Sequence, residues 1–557
     1  MARTRQRLSD ARFTMLLQLA VAVVGIVQSF LWRNRMDADG MSYVDVAYSY
    51  ANGDWAGAVN GYWSPLFSWL IAALISVFHP SPASEFPMIH ALNTLDFLLA
   101  LVAFSFFVRQ LFARFGDSGA EAGEWRRAWL TLAYASFAYA SVTLQDVGRG
   151  GPDFLLAACF YCAVGLMLRV ANGSGSSTLL MAALGAILGV GYLAKAVMFP
   201  VALVMLGCTA FMLRGTQNRW RNLIVASVAF GMIAAPWIAV LSQSKSRLTY
   251  SDTGKLSYAW YVDDAAINHA QEDAAHGKPS HPTRRLSTAP TIFEFGSPVR
   301  GTYPPWYDPS YWHEGVRVKP HLRLQLHRLA LSAEDFLNQS WFYPGLSAVI
   351  ALSLLAGAPA VRRALAGAWF VVIPVVSAFV LYSLVLVLGR HIAPFFAVGL
   401  PTLAFGIAAS MDAASRQKNR AAAIVATALA AALAVMTLSQ IAFIDRRLPD
   451  GRSHLEIARA LHSRGVPGGS RVGVIGDSMH AYWAHLGRLR IVAEIWPDET
   501  ARFWAQDEPT RRRQLELFRG AGATAVIADG IPSWADTAAW LPIGDGYRAY
   551  LMSAAPR

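Results

Sequence analysis

The distribution of apolar residues along the chain restricts its fold more than any other feature. Apolar runs of about 17–23 residues recur, separated by short basic segments, and a run of about 20 is long enough for a helix to cross a bilayer. The chain is 55% hydrophobic and only 15% charged. A soluble domain carries about 25% charged residues, so this composition excludes an ordinary cytosolic enzyme. The pattern predicts a mainly α, polytopic membrane helix bundle.

Eleven of these runs are predicted to span the membrane: 13–32, 88–109, 128–145, 153–169, 178–194, 197–213, 221–241, 341–358, 365–387, 392–411 and 421–443. A twelfth run, 63–78, is short and begins near Pro65. With eleven spans and the N-terminus inside, the inward segments carry seventeen Lys and Arg residues and the short outward segments carry five. Counting 63–78 as a span changes this distribution to seven inside and fifteen outside. Because basic residues concentrate in cytoplasmic loops, we predict that 63–78 is interfacial or re-entrant.

This topology predicts a multi-pass protein of the cytoplasmic (inner) membrane with its N-terminus in the cytoplasm. Residues 1–444 form the transmembrane domain, with extracytoplasmic loops at 33–87 and 242–340. Residues 445–557 are predicted to form a small soluble α/β domain outside the membrane, because three β-rich apolar runs alternate there with helical stretches. Those runs are RVGVIGD (471–477), RIVAEI (490–495) and ATAVIAD (523–529). The net charge of +12 comes largely from loop arginines, so no nucleic-acid partner is predicted.

Ionisable residues beside the spans converge on the outer side. They are Asp37 and Asp39, then Arg149 and Asp153, then Lys195, and finally Arg390 and His391. Such residues at membrane depth are costly and mark functional sites. A sugar carried on a lipid phosphate needs cations to neutralise the leaving phosphate and a carboxylate to take the proton of the attacking hydroxyl. For Lys195 the alternative is a snorkelling side chain whose ammonium group reaches the membrane surface.

The order of these features resembles the GT-C superfamily of integral-membrane glycosyltransferases, particularly the branch of protein O-mannosyltransferases and aminoarabinose transferases. The matching segments are Asp39-Gly40-Met41-Ser42-Tyr43, Val46-Ala47, Gly53-Asp54-Trp55, Asp153, Gly191-Tyr192-Leu193-Ala194-Lys195 and Arg390. The family's usual Asp-Glu pair is Asp39-Gly40 here, so its second carboxylate has no counterpart at this position. Asp37-Ala38-Asp39 instead forms a DxD, as in oligosaccharyltransferase relatives that bind a divalent metal.

The resemblance implies an inverting transferase that moves a sugar from a polyprenyl-phosphate donor to a glycan, lipid or protein acceptor on the extracytoplasmic side. The implied catalytic residues are Asp39 as general base with Asp37 and Asp153, and the implied substrate-binding residues are Lys195, Arg390, Arg149, His391 and Tyr43. Asp37 and Asp39 are also candidate ligands for Mg²⁺ or Mn²⁺. The alternative function is a flippase for lipid-linked saccharides, or a lipid-binding membrane protein without catalysis. A transporter should show two related halves with broken spans, whereas here the charges lie on one side.

Two further segments belong to the outer side. The segment 293–312 holds seven aromatic residues, and we interpret it as a lid or acceptor platform in preference to a packed interfacial loop. Gly476-Asp477-Ser478 is similar to the GDS block of SGNH esterases. Those enzymes need a later DxxH to supply the base, and no such sequence follows Ser478. Hydrolysis is therefore not predicted, and the turn is interpreted as an ordinary strand-to-helix connection.

Overall fold

The computed structural model of the protein describes residues 2–115, 122–173, 178–269, 271–295, 298–411, 416–442 and 450–552. The first ten helices are α1 (Ala2–Trp32), α2 (Ala38–Ala51), α3 (Trp55–Ala58), α4 (Pro65–Phe78), α5 (Pro82–Phe115), α6 (Ala122–Ala138), α7 (Asp153–Ala171), α8 (Thr178–Ala194), α9 (Met198–Met212) and α10 (Arg219–Ser244). A π-helical turn (Tyr139–Gln145) continues α6.

The middle of the chain contains α11 (Thr253–Tyr261), β1 (Arg284–Thr288), β2 (Thr291–Glu294), α12 (Pro304–Tyr307), α13 (Pro309–Trp312), α14 (Leu322–Leu337), α15 (Phe342–Ala356), α16 (Ala358–Ser383), α17 (Gly389–Ala409) and α18 (Arg416–Ala442). The last part contains α19 (Gly451–Ser463), β3 (Arg471–Ile475), α20 (Tyr482–Leu486), β4 (Arg490–Ile495), α21 (Pro497–Trp504), α22 (Glu508–Gly520), β5 (Ala525–Ala528), β6 (Leu541–Gly544) and β7 (Tyr547–Leu551).

The helices agree with the predicted multi-pass architecture. All eleven predicted runs are helical over most of their length. Among the described residues, seven helices are long and apolar enough to cross a membrane: α1, α5, α7, α10, α16, α17 and α18. Helices α14 and α15 meet at 81° and count as an eighth span only if they act as one, while α4, α8 and α9 are shorter apolar helices. The number of eleven spans and the side on which each terminus lies stay predictions.

Helix α4 is the run that the charge distribution places outside the set of spans. Its 14 residues extend about 21 Å, because each helical residue rises about 1.5 Å, and the hydrocarbon core is about 30 Å thick. Phe67 and Ile71 of α4 are fully buried in a cluster that also contains Tyr43 of α2. The short length and this packing agree with an interfacial or re-entrant helix, which nothing in the structure tests directly.

Aromatic side chains hold the centre of the bundle together. The ring of Phe104 in α5 lies 4.9 Å from Phe137 in α6 and 5.2 Å from Tyr161 in α7. In a bilayer, lipid tails solvate apolar side chains as well as other side chains do, so helix association depends on such close packing. These contacts keep α5, α6 and α7 in fixed register and therefore also fix the positions of the loops at their ends.

The only sheet among the described residues has seven strands in the order β1-β2-β4-β3-β5-β7-β6. Strand β3 is parallel to β4 and β5, and the remaining neighbours are antiparallel. The three predicted apolar runs are β3, β4 and β5, so the predicted α/β character is confirmed. The hairpin β1–β2 comes from the predicted loop 242–340 and pairs with β4, so this loop and the C-terminal segment share one sheet. The predicted boundary at residue 444 lies outside the described residues.

A buried ionic network joins the C-terminal segment to α2 and α5. His485 lies 2.8 Å from Asp45 Oδ1 through Nδ1 and contacts Glu85 through Nε2. Arg488 donates to Glu85 Oε2 at 2.6 Å and to the Tyr48 hydroxyl at 2.7 Å. Burial lowers the pKa of His485, but Glu85 and Asp45 outweigh it and raise that pKa to about 9. His485 is therefore charged at neutral pH.

We expect this contact to lose stability as the pH rises. Because the pKa of His485 is raised by folding, its stabilisation is complete below the unfolded pKa of about 6.5 and is lost as the pH rises towards 9. The effect is of the order of 3 kcal/mol, since one pKa unit corresponds to about 1.4 kcal/mol. Melting temperatures from pH 6 to 9.5 should fall in the parent and stay nearly flat in His485→Gln. The exposed His327→Gln should keep the parental slope, and a parental slope in His485→Gln would contradict the assignment.

Candidate active site

The N-terminus of α2 carries the two carboxylates of the predicted DxD. Asp37 is the N-cap residue, and its Oδ1 accepts a hydrogen bond from the Gly40 N–H at 2.8 Å. Asp39 lies in the first turn, where carboxylates are favoured by the helix dipole. Its Oδ2 accepts from Arg390 Nη2 at 2.6 Å, and its Oδ1 accepts from the indole N–H of Trp306 at 3.2 Å. Both carboxylate oxygens of Asp39 therefore have fixed donors.

Asp37 lies between two arginines. Its Oδ2 is 3.7 Å from Arg390 Nη1 and 3.6 Å from Arg149 Nη1, and Arg149 also lies 3.9 Å from Asp146. Burial raises the pKa of Asp37, and the charge of Asp39 raises it further, against the lowering effect of the two arginines. Asp37 therefore takes up a proton more readily than an exposed aspartate. The two carboxylates and two guanidinium groups form one continuous network.

Lys195 and Asp153 form a further ion pair of the site. Asp153 is the first residue of α7, and Lys195 lies in the break between α8 and α9. The Lys195 ammonium donates to Asp153 Oδ1 at 2.5 Å. The side chain of Lys195 thus points to a carboxylate of the candidate site, which argues against simple snorkelling. The sequence predicted that these six charged residues converge, and the structure places them together.

His391 and Tyr43 both pack against aromatic rings. His391 stacks on Tyr382 with ring centroids 4.8 Å apart and planes 16° apart. Tyr43 is buried and packs against Trp63 at 5.1 Å and Phe67 at 5.6 Å. Burial raises the pKa of Tyr43, and the charges of Asp153 and Asp39 raise it further. Tyr43 therefore keeps its proton, and substrate binding by these two residues stays a prediction.

Gly40 stands where the proteins that the motifs resemble usually carry Glu, and its surroundings leave no room for a side chain. A Cβ atom added to Gly40 would lie 2.6 Å from the sulfur of Met36 and 2.9 Å from both Asp37 Oδ1 and the Gly150 carbonyl oxygen. The first turn of α2 therefore approaches the loop before α7 too closely for a side chain at this position. The second carboxylate next to Asp39 comes from Asp37 in this chain.

Three residues that sequence analysis did not single out position this site. Trp306 comes from the aromatic segment 293–312 and stacks on Trp260 with ring centroids 6.0 Å apart. Gln28 accepts from the Val147 N–H at 3.0 Å, and Asn93 donates to the Val147 carbonyl at 2.8 Å. These bonds anchor the loop that carries Arg149. Gln28 and Asn93 could have been found from the sequence, because each is an amide side chain inside an apolar run.

The fit of a divalent metal can be judged from the donor set. Asp37 and Asp39 both contact arginines, and within the described ranges no group of three or more His, Cys, Asp or Glu side chains is arranged to hold a metal ion. Mg²⁺ is often held by one or two carboxylates together with substrate phosphates and water. Two carboxylates could serve in that way only if the arginines moved aside. Metal binding stays a prediction, and no step proposed for the reaction depends on it.

Comparison with known proteins defines the fold class. No protein-family model matches the chain, and no curated protein matches it in sequence. Solved structures that it resembles include GT-C glycosyltransferases, and the alignments cover most of the chain. The resemblance predicted from the motifs is therefore confirmed at the level of the fold.

Two of these proteins illustrate the similarity. The apo structure of ArnT from Cupriavidus metallidurans has 15% sequence identity and a TM-score of 0.52, and the alignment covers 98% of this chain and 100% of ArnT. A second ArnT structure, bound to undecaprenyl phosphate, has 16% identity and a TM-score of 0.51. The apo oligosaccharyltransferase of Archaeoglobus fulgidus has 12% identity and a TM-score of 0.56, and the alignment covers 93% of this chain and 69% of that protein. At these identities the similarity establishes the fold.

Proposed function

We propose that this protein is a membrane glycosyltransferase that transfers a sugar from a polyprenyl-phosphate donor to an acceptor on the extracytoplasmic side. The observation that carries the proposal is the convergence of Asp37, Asp39, Arg149, Asp153, Lys195 and Arg390 at one end of a GT-C fold. The fold neighbours support a lipid-phosphate donor, because ArnT was solved with undecaprenyl phosphate and the Archaeoglobus enzyme AglB with dolichol-phosphate.

The geometry favours an anionic group at this place. Three helices begin at the site, namely α2, α7 and α17, and a helix N-terminus presents unpaired N–H groups and a positive field. Arg390 offers a planar fork and Lys195 a compact charge, which are the usual partners of phosphate. In the structure, each of these two cations contacts a carboxylate. An arriving phosphate would compete for these cations, with Arg390 giving up part of its contact with Asp39.

The proposed reaction follows from these roles. The carboxylate of Asp39, released from Arg390, takes the proton of the acceptor hydroxyl as its oxygen attacks the anomeric carbon. The bond between that carbon and the phosphate oxygen breaks, and its electron pair leaves with the polyprenyl phosphate. Arg390, Lys195 and Arg149 stabilise the negative charge that develops on the leaving phosphate. Attack from the side opposite to the phosphate inverts the anomeric configuration. Asp37, with its raised pKa, is the partner that can share the proton.

A two-step experiment tests the proposal. Lipids that co-purify with the full chain are extracted and analysed by mass spectrometry, and the labelled donor lipid is then incubated with protein and membrane extract. We expect a polyprenyl-phosphate sugar to co-purify, and the sugar to become covalently attached to a component of the extract with release of polyprenyl phosphate. A flippase would bind the donor lipid but leave the bond between the sugar and the phosphate intact.

The variant Arg390→Ala should lower the amount of co-purified donor at least tenfold. Arg363→Ala is the matched control, because Arg363 is exposed and donates only to the Ser410 carbonyl oxygen among the residues described. If the parent retains no polyprenyl lipid, or if Arg390→Ala retains as much as the control, the phosphate-binding role is wrong.

A further inference from the structure

The strand order of the C-terminal sheet predicts a ligand-binding crevice that the reaction described so far does not use. Strand β3 lies between β4 and β5 and is parallel to both. The chain therefore goes from β3 to β4 on one side of it, and later places β5 on the other side. In open α/β sheets such a reversal leaves a crevice outside the carboxyl ends of the strands, where ligands bind. Asp477 and Ser478 follow β3 at this place, and Asp529 follows β5.

Asp477 and His480 form a hydrogen-bonded pair in the crevice. Asp477 Oδ2 lies 2.8 Å from His480 Nδ1, and Asp477 Oδ1 accepts from the backbone N–H groups of Met479 and His480. Asp529 Oδ1 accepts from the Asp477 N–H at 3.0 Å. This approach requires Gly476, because a Cβ there would lie 1.4 Å from Asp529 Oδ1. Within the described part of the chain, no protein group bonds to His480 Nε2.

Ser478 supplies an independent sign of a ligand. Its side chain is buried, with the residue 4% exposed, and no partner for its hydroxyl is found among the described residues. Buried hydroxyls are normally hydrogen-bonded, so an unpaired one needs an explanation. Ser478 lines a cavity of about 20 Å³ together with Ser42, Trp306 and Tyr482, which is room for one water molecule or one hydroxyl group.

The crevice faces the candidate carboxylates. The Tyr482 hydroxyl donates to the Met36 carbonyl at 2.9 Å, directly before Asp37. The rings of His480 and Tyr482 have centroids 6.0 Å apart. The hydrogen bond that His480 donates to Asp477 raises the pKa of His480 against burial, and the charges of Asp37 and Asp39 add to this increase. His480 is therefore within electrostatic reach of the catalytic carboxylates.

We propose that this crevice is the acceptor subsite and that it binds the hydroxyl groups of a neutral saccharide. The proposal rests on the transfer reaction proposed for Asp39. The crevice offers donors at His480 and Ser478 and acceptors at Asp477 and Asp529, and a sugar hydroxyl both donates and accepts. The indole of Trp306 adds a flat apolar face. Asp477 and Asp529 would repel a phosphate or carboxylate, so a neutral polyol suits the crevice better than an anion.

Saturation-transfer NMR on the full chain in nanodiscs tests the proposal. The neutral probes are the methyl glycosides of glucose, galactose and mannose, and the anionic probe is glucose 6-phosphate. We expect transfer to at least one glycoside and a reduction of at least fivefold in both His480→Gln and Ser478→Ala. The exposed His327→Gln should give the parental signal. Binding of undecaprenyl phosphate should be the same in all four proteins, because the crevice does not contact the donor.

Ser478→Ala is the variant expected to fold like the parent, because the hydroxyl that it removes makes no hydrogen bond within the described residues. Its melting temperature should equal that of the parent. An unchanged glycoside signal in Ser478→Ala, a stronger signal from glucose 6-phosphate, or no signal from any neutral glycoside would overturn the acceptor subsite. Failure of the parent to bind undecaprenyl phosphate would instead overturn the proposed transfer reaction. The glycoside signals would still show whether the crevice binds a neutral saccharide.

Discussion

Asp39→Asn should lower the rate of sugar transfer about 10²–10⁴-fold, because it removes the proposed base and keeps the size and polarity of the side chain. Binding of undecaprenyl phosphate should not weaken. Asp39 Oδ2 lies 2.6 Å from Arg390 Nη2, so loss of the carboxylate charge leaves this guanidinium freer to bind phosphate. Single-turnover transfer and lipid binding in nanodiscs, measured on the same preparation, separate the two effects.

Asp507→Asn is the matched control for Asp39→Asn. Asp507 is also a helix N-cap, and its Oδ1 accepts from the Thr510 N–H at 3.0 Å on the surface of the C-terminal segment. This variant should transfer sugar at the parental rate. Asp37→Asn keeps the capping oxygen and is the informative comparison at the site. If Asp39→Asn transfers at the parental rate and Asp37→Asn does not, the base is Asp37.

Lys195→Ala should weaken both donor binding and turnover, by about 2–4 kcal/mol in total for a water-excluded site. Two physical effects contribute. The phosphate loses a cation, and Asp153 loses the partner that lies 2.5 Å from it, so an unpaired carboxylate then faces the phosphate. Lys195→Arg should rescue part of the loss, because the charge returns with a different shape. The measurement is undecaprenyl phosphate binding together with transfer under single-turnover conditions.

The double variant Lys195→Ala with Asp153→Asn separates these two effects. If Lys195 binds the phosphate, the double variant should still bind the lipid weakly. If the loss comes only from the unpaired Asp153, neutralising that carboxylate should restore parental binding, and Lys195 would then not contact the donor. Asp153→Asn alone should bind the lipid at least as tightly as the parent, since it releases the Lys195 ammonium.

The regular elements could be predicted because their signals are local. The apolar runs predicted all seven described helices that are long and apolar enough to cross a membrane, and β3, β4 and β5 followed from short β-rich segments between turns. The convergence of Asp39, Lys195 and Arg390 followed from charge placement, because a charged residue beside a span must lie at one membrane face or the other. The number of spans and the positions of the loop arginines were enough to predict that these residues lie on the same side, and helix packing did not have to be known.

The pairing of these charges was decided by the tertiary structure. Arg390 and Asp39 are 351 residues apart, and His485 and Glu85 are 400 residues apart. No local pattern encodes which helix ends meet. The addition of the β1–β2 hairpin to β4 likewise depends on a distant edge strand becoming available.

The sequence by itself determined that the chain is a multi-pass helical membrane protein with a small α/β part and charged residues grouped at helix ends. Hydrophobic length and loop charge act on each segment independently, so no partner had to be known. Only the tertiary structure decided that Gly40 has no room for a side chain, and that Trp306 contacts Asp39. It also placed His480 of the C-terminal segment where the charges of Asp37 and Asp39 raise its pKa. These outcomes depend on close packing between segments far apart in sequence, where a separation of about 3 Å permits or excludes a side chain.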